Sequence, residues 1–257
     1  MRETVTYIEN IEGKILNIDV KADNTFLAIT DKKEVVTSST IFTINGEVHF
    51  PIIRELNSKE FLIANLRNKN DNENAFIYDF NGNLKTKFKA GDGIEDIVIN
   101  ADKIVITYFD EGVFGDDGYN NNGLSIFDFN GNFQFGFNQN QQGLVIHDCY
   151  CICKIDDRKI AFYAYDFFNV IELDLNEFTI TKLETPKIFE GANAMSKLNN
   201  KYIFHSSYYS KNEFFEWNLS NNSVKKIGEY NSTLKGLLNG SFLAFGDSGF
   251  TIIETSS

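Results

Sequence analysis

The chain has 257 residues, 42% of them hydrophobic, and a formal net charge of −12. Length and composition fit a globular fold and exclude disordered and collagen-like classes. The acidic balance argues against nucleic acid or an anionic membrane as partner, since both select basic patches, and leaves a basic protein or a cation.

No apolar core of a signal peptide follows Met1, and no run of apolar residues is long enough to cross a bilayer. The three cysteines, Cys149, Cys151 and Cys153, crowd into one stretch, CYCIC, which is a poor disulfide framework. Together these features predict a cytoplasmic protein in a reducing setting. With two prolines and no linker-like stretch, residues 1–257 read as one domain.

In chain order, the N-terminal Glu3–Glu9 alternates apolar and polar residues and reads as a strand. The first group of strands is predicted at Lys14–Val20, Thr25–Thr30, Thr40–Ile44 and Glu47–Phe50. The second follows at Ile52–Leu56, Glu60–Leu66, Ala75–Phe80 and Leu84–Phe88. The third takes Glu95–Asn100, Lys103–Phe109, Leu124–Phe129 and Phe133–Phe137. The fourth takes Asp148–Lys154, Lys159–Tyr165, Asn169–Leu173 and Thr179–Leu183. The fifth takes Asn193–Leu198, Tyr202–Ser206, Phe214–Trp217 and Ser223–Ile227. Three strands remain, at Leu234–Leu238, Ser241–Phe245 and Phe250–Glu254.

One hairpin recurs through this series. FIYDFNGNLK at Phe76–Lys85 returns as SIFDFNGNFQF at Ser125–Phe135, with fainter copies from Ile41, Val170 and Phe214. Each is a strand, an Asn- or Gly-rich turn and a second strand. The equivalent positions Thr43, Asp79, Asp128, Asp174, Asn218 and Glu254 are 36, 49, 46, 44 and 36 residues apart. Such a period is the mark of a propeller blade. The prediction is all-β: a six-bladed β-propeller of four-stranded antiparallel blades, its ring closed by the N-terminal strand completing the last blade.

The hairpin IFDFNGNFQFGF resembles the closing half of an NHL-type propeller repeat. GDGIED at Gly91–Asp96, YFDEGVFG at Tyr108–Gly115 and HDCY at His147–Tyr150 are similar to a family of uncharacterised bacterial six-bladed propellers. That resemblance implies the fold and no settled activity.

In a propeller, the loops from second to third strands share one face with the crossings between blades. The long loops fall on that face, with Phe109–Gly123 the longest. Blade 3 concentrates acids there: Asp92, Glu95, Asp96, Asp110, Glu111, Asp116 and Asp117, with Asp102 at the other end of the blade. Blade 4 adds Asp148 and Asp166. Aromatic side chains Tyr108, Phe114, Tyr165, Tyr208 and Tyr209 are predicted to join them as a partner or ligand face. Converging carboxylates recruit a cation or share protons, so Glu95, Asp96, Asp110 and Asp148 are candidate ligands for Ca²⁺ or Mg²⁺. His147 and His205 are the candidate proton acceptors, although His147 and Asp148, as strand neighbours, point to opposite sides. Alternation would put the three thiols on one side, with the outer two about 13.6 Å apart, too far for one zinc.

No nucleophile elbow, Walker A or zinc-protease motif occurs. Two readings follow. The first is a non-catalytic binding scaffold whose acidic, aromatic face holds a basic protein, as an inhibitor or immunity factor would. The alternative is a divalent-metal-dependent hydrolase of a lactone, ester or sugar, with the metal at the mouth of the central channel, which rests on fold analogy.

Overall fold

The structure, a computed structural model, describes residues 1–68, 72–115, 118–140 and 143–255. Among these residues, twenty-four strands form six four-stranded antiparallel sheets, which are the six blades of a β-propeller. Strand β1 (Arg2–Tyr7) comes first. Blade 1 is β2 (Ile15–Val20), β3 (Phe26–Thr30), β4 (Glu34–Thr37) and β5 (Ile41–Thr43). Blade 2 is β6 (Pro51–Asn57), β7 (Glu60–Asn65), β8 (Ala75–Asp79) and β9 (Leu84–Phe88). Blade 3 is β10 (Ile94–Asn100), β11 (Lys103–Tyr108), β12 (Leu124–Asp128) and β13 (Phe133–Gly136), with the short helices α1 (Asp110–Val113) and α2 (Phe137–Asn140) in its loops. Blade 4 is β14 (Cys149–Lys154), β15 (Lys159–Ala164), β16 (Val170–Asp174) and β17 (Ile180–Leu183). Blade 5 is β18 (Ala194–Leu198), β19 (Lys201–Ser207), β20 (Ser210–Asn218) and β21 (Ser223–Glu229). Blade 6 is β22 (Lys235–Gly236), β23 (Ser241–Gly246) and β24 (Gly249–Glu254).

As predicted, β1 completes blade 6: it pairs antiparallel with β24, from Arg2 opposite Glu254 to Tyr7 opposite Gly249. The ring is closed by packing as well as by pairing. A separate apolar cluster fills each of the six junctions between neighbouring blades, including the one joining blade 6 to blade 1 through Ile18, Val36, Leu243 and Phe250. Both faces of a blade are therefore covered, which is why stretches such as β7 and β11 are apolar on both sides.

The recurring Asp of the repeat has a local physical role. Asp79 accepts the backbone N–H groups of Asn81 and Asn83, both at 2.9 Å. Asp128 does the same for Asn130 and Asn132, and Asp174 for Asn176 and Glu177. Each carboxylate closes the turn between third and fourth strands. In the first two copies the turn also needs a left-handed residue, supplied by Gly82 and Gly131.

Blade 1 departs from the expected boundaries. Its third strand is Glu34–Thr37, Ile41–Thr43 is the fourth, and Glu47–Phe50 is not a strand. The position equivalent to Asp79 is Thr37 rather than Thr43. Here the turn is closed by a hydroxyl: Thr37 Oγ1 accepts the N–H of Ser39 and of Thr40. The Asn45-Gly46 pair imitated the repeat's turn but lies in the crossing to blade 2.

The cysteines also depart from simple alternation. A β-bulge between Cys149 and Cys151 reverses the side on which the strand presents them. Cys149 packs toward blade 3, while Cys151 and Cys153 pack toward blade 5. All three are buried free thiols whose ionisation is pushed up by burial.

Candidate functional site

The loops from second to third strands and the crossings between blades lie on one face, here called the upper face. Three inner strands carry a bulge just below it. The extra residues are Leu16 in β2, Glu95 in β10 and Tyr150 in β14. A bulge re-aims one side chain without breaking the sheet. Inner strands border the channel, and at these bulges one apolar and one acidic side chain, Leu16 and Glu95, are exposed and one aromatic side chain, Tyr150, is half-buried.

Glu95 is exposed to solvent at its bulge. Its ionisation is pushed up to about 7, first by lost hydration and then by Asp96 and Asp148. Asp148 is pushed up to about 6 by partial burial, then by Asp110 and Asp166. Glu95 and Asp148 thus feel each other's charge, and Asp110 and Asp166 act on Asp148. A carboxyl whose folded value lies above its unfolded one stabilises the fold while it holds its proton. That contribution is complete below the unfolded value and disappears as pH rises through the folded value, here between about 4.5 and about 7 for Glu95. Glu95→Gln is therefore expected to raise stability at pH 8 by about 1 kcal/mol, a figure reduced for the solvent screening of this open side chain. At pH 5 it should change little. Urea unfolding of both proteins at the two pH values checks this, and an equal effect at both would contradict it.

Asp96, next in the chain, takes the opposite role. It points across the channel and binds two cations: Arg54 of blade 2 at 2.7 Å and Lys235 of blade 6 at 2.5 Å. Blades 3 and 6 face each other across the ring, so the Asp96–Lys235 pair spans the channel. Arg54 also donates to the carbonyl of Ile97 and to Asn17. Burial alone would raise Asp96, but Lys235 and Arg54 outweigh it and hold the carboxyl below its usual range. Among the described residues, no group of three or more His, Cys, Asp or Glu is arranged to hold a metal. The candidate set Glu95, Asp96, Asp110 and Asp148 is thus not gathered around one point.

His147 is paired, but not with its chain neighbour. Its ring Nδ1 meets Asp166 of the next loop, and its backbone N–H donates to the same carboxylate at 2.7 Å. The Phe114 ring stacks on the imidazole at 5.0 Å. His205 lies elsewhere: it is buried, its Nε2–H donates to the Tyr230 carbonyl at 2.9 Å, and burial lowers its basicity. The two histidines share no site.

Asp92 and Glu111 are both held by Arg67, at 3.1 and 2.6 Å. Arg67 thereby ties the crossing into blade 3 to α1. The glycines of GDGIED and YFDEGVFG serve the same contact. A Cβ on Gly112 would stand 2.5 Å from the Asp92 carbonyl oxygen and 2.8 Å from Gly93 Cα. The two loops meet backbone to backbone, and only glycine permits that. Tyr108 is a correction to the expected surface: it is fully buried, and its hydroxyl donates to the Ala90 carbonyl at 2.5 Å, supporting the loops from below. Asp116 and Asp117 lie outside the described residues.

The other aromatic candidates are exposed. Phe114, Tyr165, Tyr208 and Tyr209 are 70%, 51%, 61% and 57% accessible, and Tyr7, Phe50, Val145 and Phe245 join them on the same face. The remaining exposed large apolar residues are Met1 and Val5 at the outer N-terminal strand, Ile41 and Leu84 on outer strands, and Leu16 at the channel. None lies in a loop of the lower face. Tyr150, not singled out in the sequence, is the centre of the aromatic patch: it contacts Tyr165, Phe168 and Tyr208, and its hydroxyl meets that of Tyr208. Only the bulge places it there. Tyr209 donates to Glu190 at 2.8 Å.

No family model matches the chain, and no curated protein matches it. Solved structures do. Virginiamycin B lyase from Staphylococcus aureus is similar at 12% identity and a TM-score of 0.56, over 98% of each chain. The WD40 β-propeller domain of Doa1 is similar at 9% identity and a TM-score of 0.52, over 98% of this chain and 97% of that one. Hsv2 from Kluyveromyces lactis is similar at 11% identity and a TM-score of 0.57, over 96% of this chain and 76% of that one. At such identities the likeness is one of fold, and the fold is that of the β-propeller proteins.

Proposed function

We propose that the protein is a non-catalytic binding scaffold, acting as one domain in the cytoplasm, whose upper face receives a basic protein partner. One observation carries this reading: exposed aromatic side chains and a crowded group of carboxylates gather on the same face. Tyr165, Tyr208 and Phe114 offer rigid, partly apolar anchors. Glu95, Asp148, Asp110 and Asp166 crowd one another enough to raise the first two, so an incoming Lys or Arg relieves repulsion as it binds. The asymmetry of the molecule supports the choice of face, since among the described residues the lower loops expose no large apolar side chain. A partner held in this way would have its own basic site covered, as an inhibitor covers an enzyme. Among the described residues, no helix is long and apolar enough to cross a membrane.

Photo-crosslinking tests the reading. A benzophenone side chain is placed at Tyr165 or Tyr208, with Leu84 on an outer strand as control. The expected outcome is one protein of high isoelectric point captured from both upper positions and not from Leu84. Its affinity for the purified propeller should fall on addition of salt. Tyr208→Ala and Asp148→Lys should each weaken it about tenfold or more. An acidic partner, or capture from Leu84 alone, contradicts the proposal.

A further inference from the structure

The channel does not end at the Asp96 bridge. Below it, at the end carrying the turns from first to second strands, lies a cavity of about 680 Å³. That size suits a small organic ligand. Its roof is Arg54 and Lys235, held by Asp96, and its rim includes the β2–β3 turn at Lys21–Asn24 and the turn after β22 at Leu237–Asn239. One wall is apolar, built by Val98, Ile99, Leu237 and Ile252.

The charges inside are unevenly placed. Lys21 is matched by Glu55 at 2.5 Å. Arg54 and Lys235 share the single carboxylate of Asp96. Lys154 lines the cavity from blade 4 and makes no ion pair among the described residues. The one inward acid left to it is Asp19, whose carboxylate already accepts the Glu55 N–H at 2.9 Å. At the rim, Glu254 lies 4.0 Å from Arg2, and Asp23 is turned to Thr25. With Asp23 at the rim the charges balance in number, but not in place: deep in the channel Arg54 and Lys235 share one carboxylate, and Lys154 has no ion-pair partner among the described residues.

We propose that this cavity binds a small organic monoanion, a carboxylate with an apolar body, its charge met by Lys154 and Lys235 and its body laid on the Val98–Ile252 wall. The ammonium of Lys154, unpaired among the described residues, favours a monoanion over a phosphate dianion, and the apolar wall favours an organic body over a bare ion. Burial lowers Lys154, and burial together with Arg54 brings Lys235 down to about 8 in spite of Asp96. Both ammonium groups are therefore under-compensated in the ligand-free protein, and an anion between them supplies what the fold does not. The site lies at the opposite end of the channel from the protein-binding face and does not depend on that proposal.

Hexanoate is the probe, with hexanol and hexylammonium as controls of equal length and inorganic phosphate as a control of charge. Saturation-transfer NMR and thermal unfolding on the full chain supply the readouts. Hexanoate is expected to bind at millimolar concentration and raise the melting temperature, while hexanol and hexylammonium do neither. Lys154→Met should weaken hexanoate at least tenfold, and Lys154→Arg should retain most of it. Circular dichroism of Lys154→Met confirms that the fold survives. The proposal is overturned if hexanol binds as well as hexanoate, if phosphate binds and hexanoate does not, if Lys154→Met leaves binding unchanged, or if no probe binds.

Discussion

Replacing Asp96 with alanine should cost about 3–5 kcal/mol, because it leaves two buried cations facing each other with nothing between them. Arg54 is almost wholly enclosed, at 4% side-chain exposure, and Lys235 is 23% exposed. Neither can turn to open solvent without breaking its bonds to backbone carbonyls. Urea unfolding near pH 7 reads the loss. The double variant Asp96→Ala/Lys235→Met should recover part of it, since one of the stranded charges is then gone. A cost below about 0.5 kcal/mol would mean that the bridge is an incidental surface pair. The sign with pH follows from the depressed carboxyl: its contribution is present above the unfolded carboxylate value near pH 4 and is lost as pH falls through the lower folded value. This runs against the trend of Glu95, one residue away, so Asp96→Ala and Glu95→Gln should change the acid limb of the stability curve in opposite senses.

Gly236→Ala should be at least as severe, at more than about 4 kcal/mol. A Cβ at this position would lie 1.7 Å from the carbonyl oxygen of Met195 in the neighbouring inner strand. The obstacle is backbone on both sides, so no rotamer change relieves it. Accommodation would require blades 5 and 6 to separate at the channel, where Lys235 must reach Asp96. Gly246→Ala is the matched control: it ends β23 with nothing within 4 Å of an added Cβ. That change should stay within about 0.5 kcal/mol of the parent. Comparable losses in both variants, read as urea midpoints, would show that general backbone stiffening and not the blade 5–6 contact is responsible.

The blades were legible in the chain because their signals are local. Strand alternation and the Asp that closes each outer turn act over a few residues, so Asp79 and Asp128 announced their hairpins directly. Blade 1 misled where the same turn is closed by Thr37 and an unrelated Asn-Gly pair sits nearby. Loop order alone leads to the expectation that Glu95, Asp96, Asp110, Glu111, Asp148 and Asp166 share one face with the aromatic loops. Tertiary structure decided what each side chain does there. Bulges, which carry no residue signature in this chain, re-aimed Glu95 and Tyr150 and split the three cysteines between two junctions. His147 found Asp166 rather than Asp148, and Tyr108 went inside. Asp96 met Lys235, 139 residues away in sequence, because a closed ring sets blade 3 opposite blade 6. Lys154 is of the same kind: that it makes no ion pair among the described residues depends on where the other charges in the channel have already gone. Turn and strand chemistry is written between near neighbours, whereas charge compensation is settled only among residues that closure of the ring brings together.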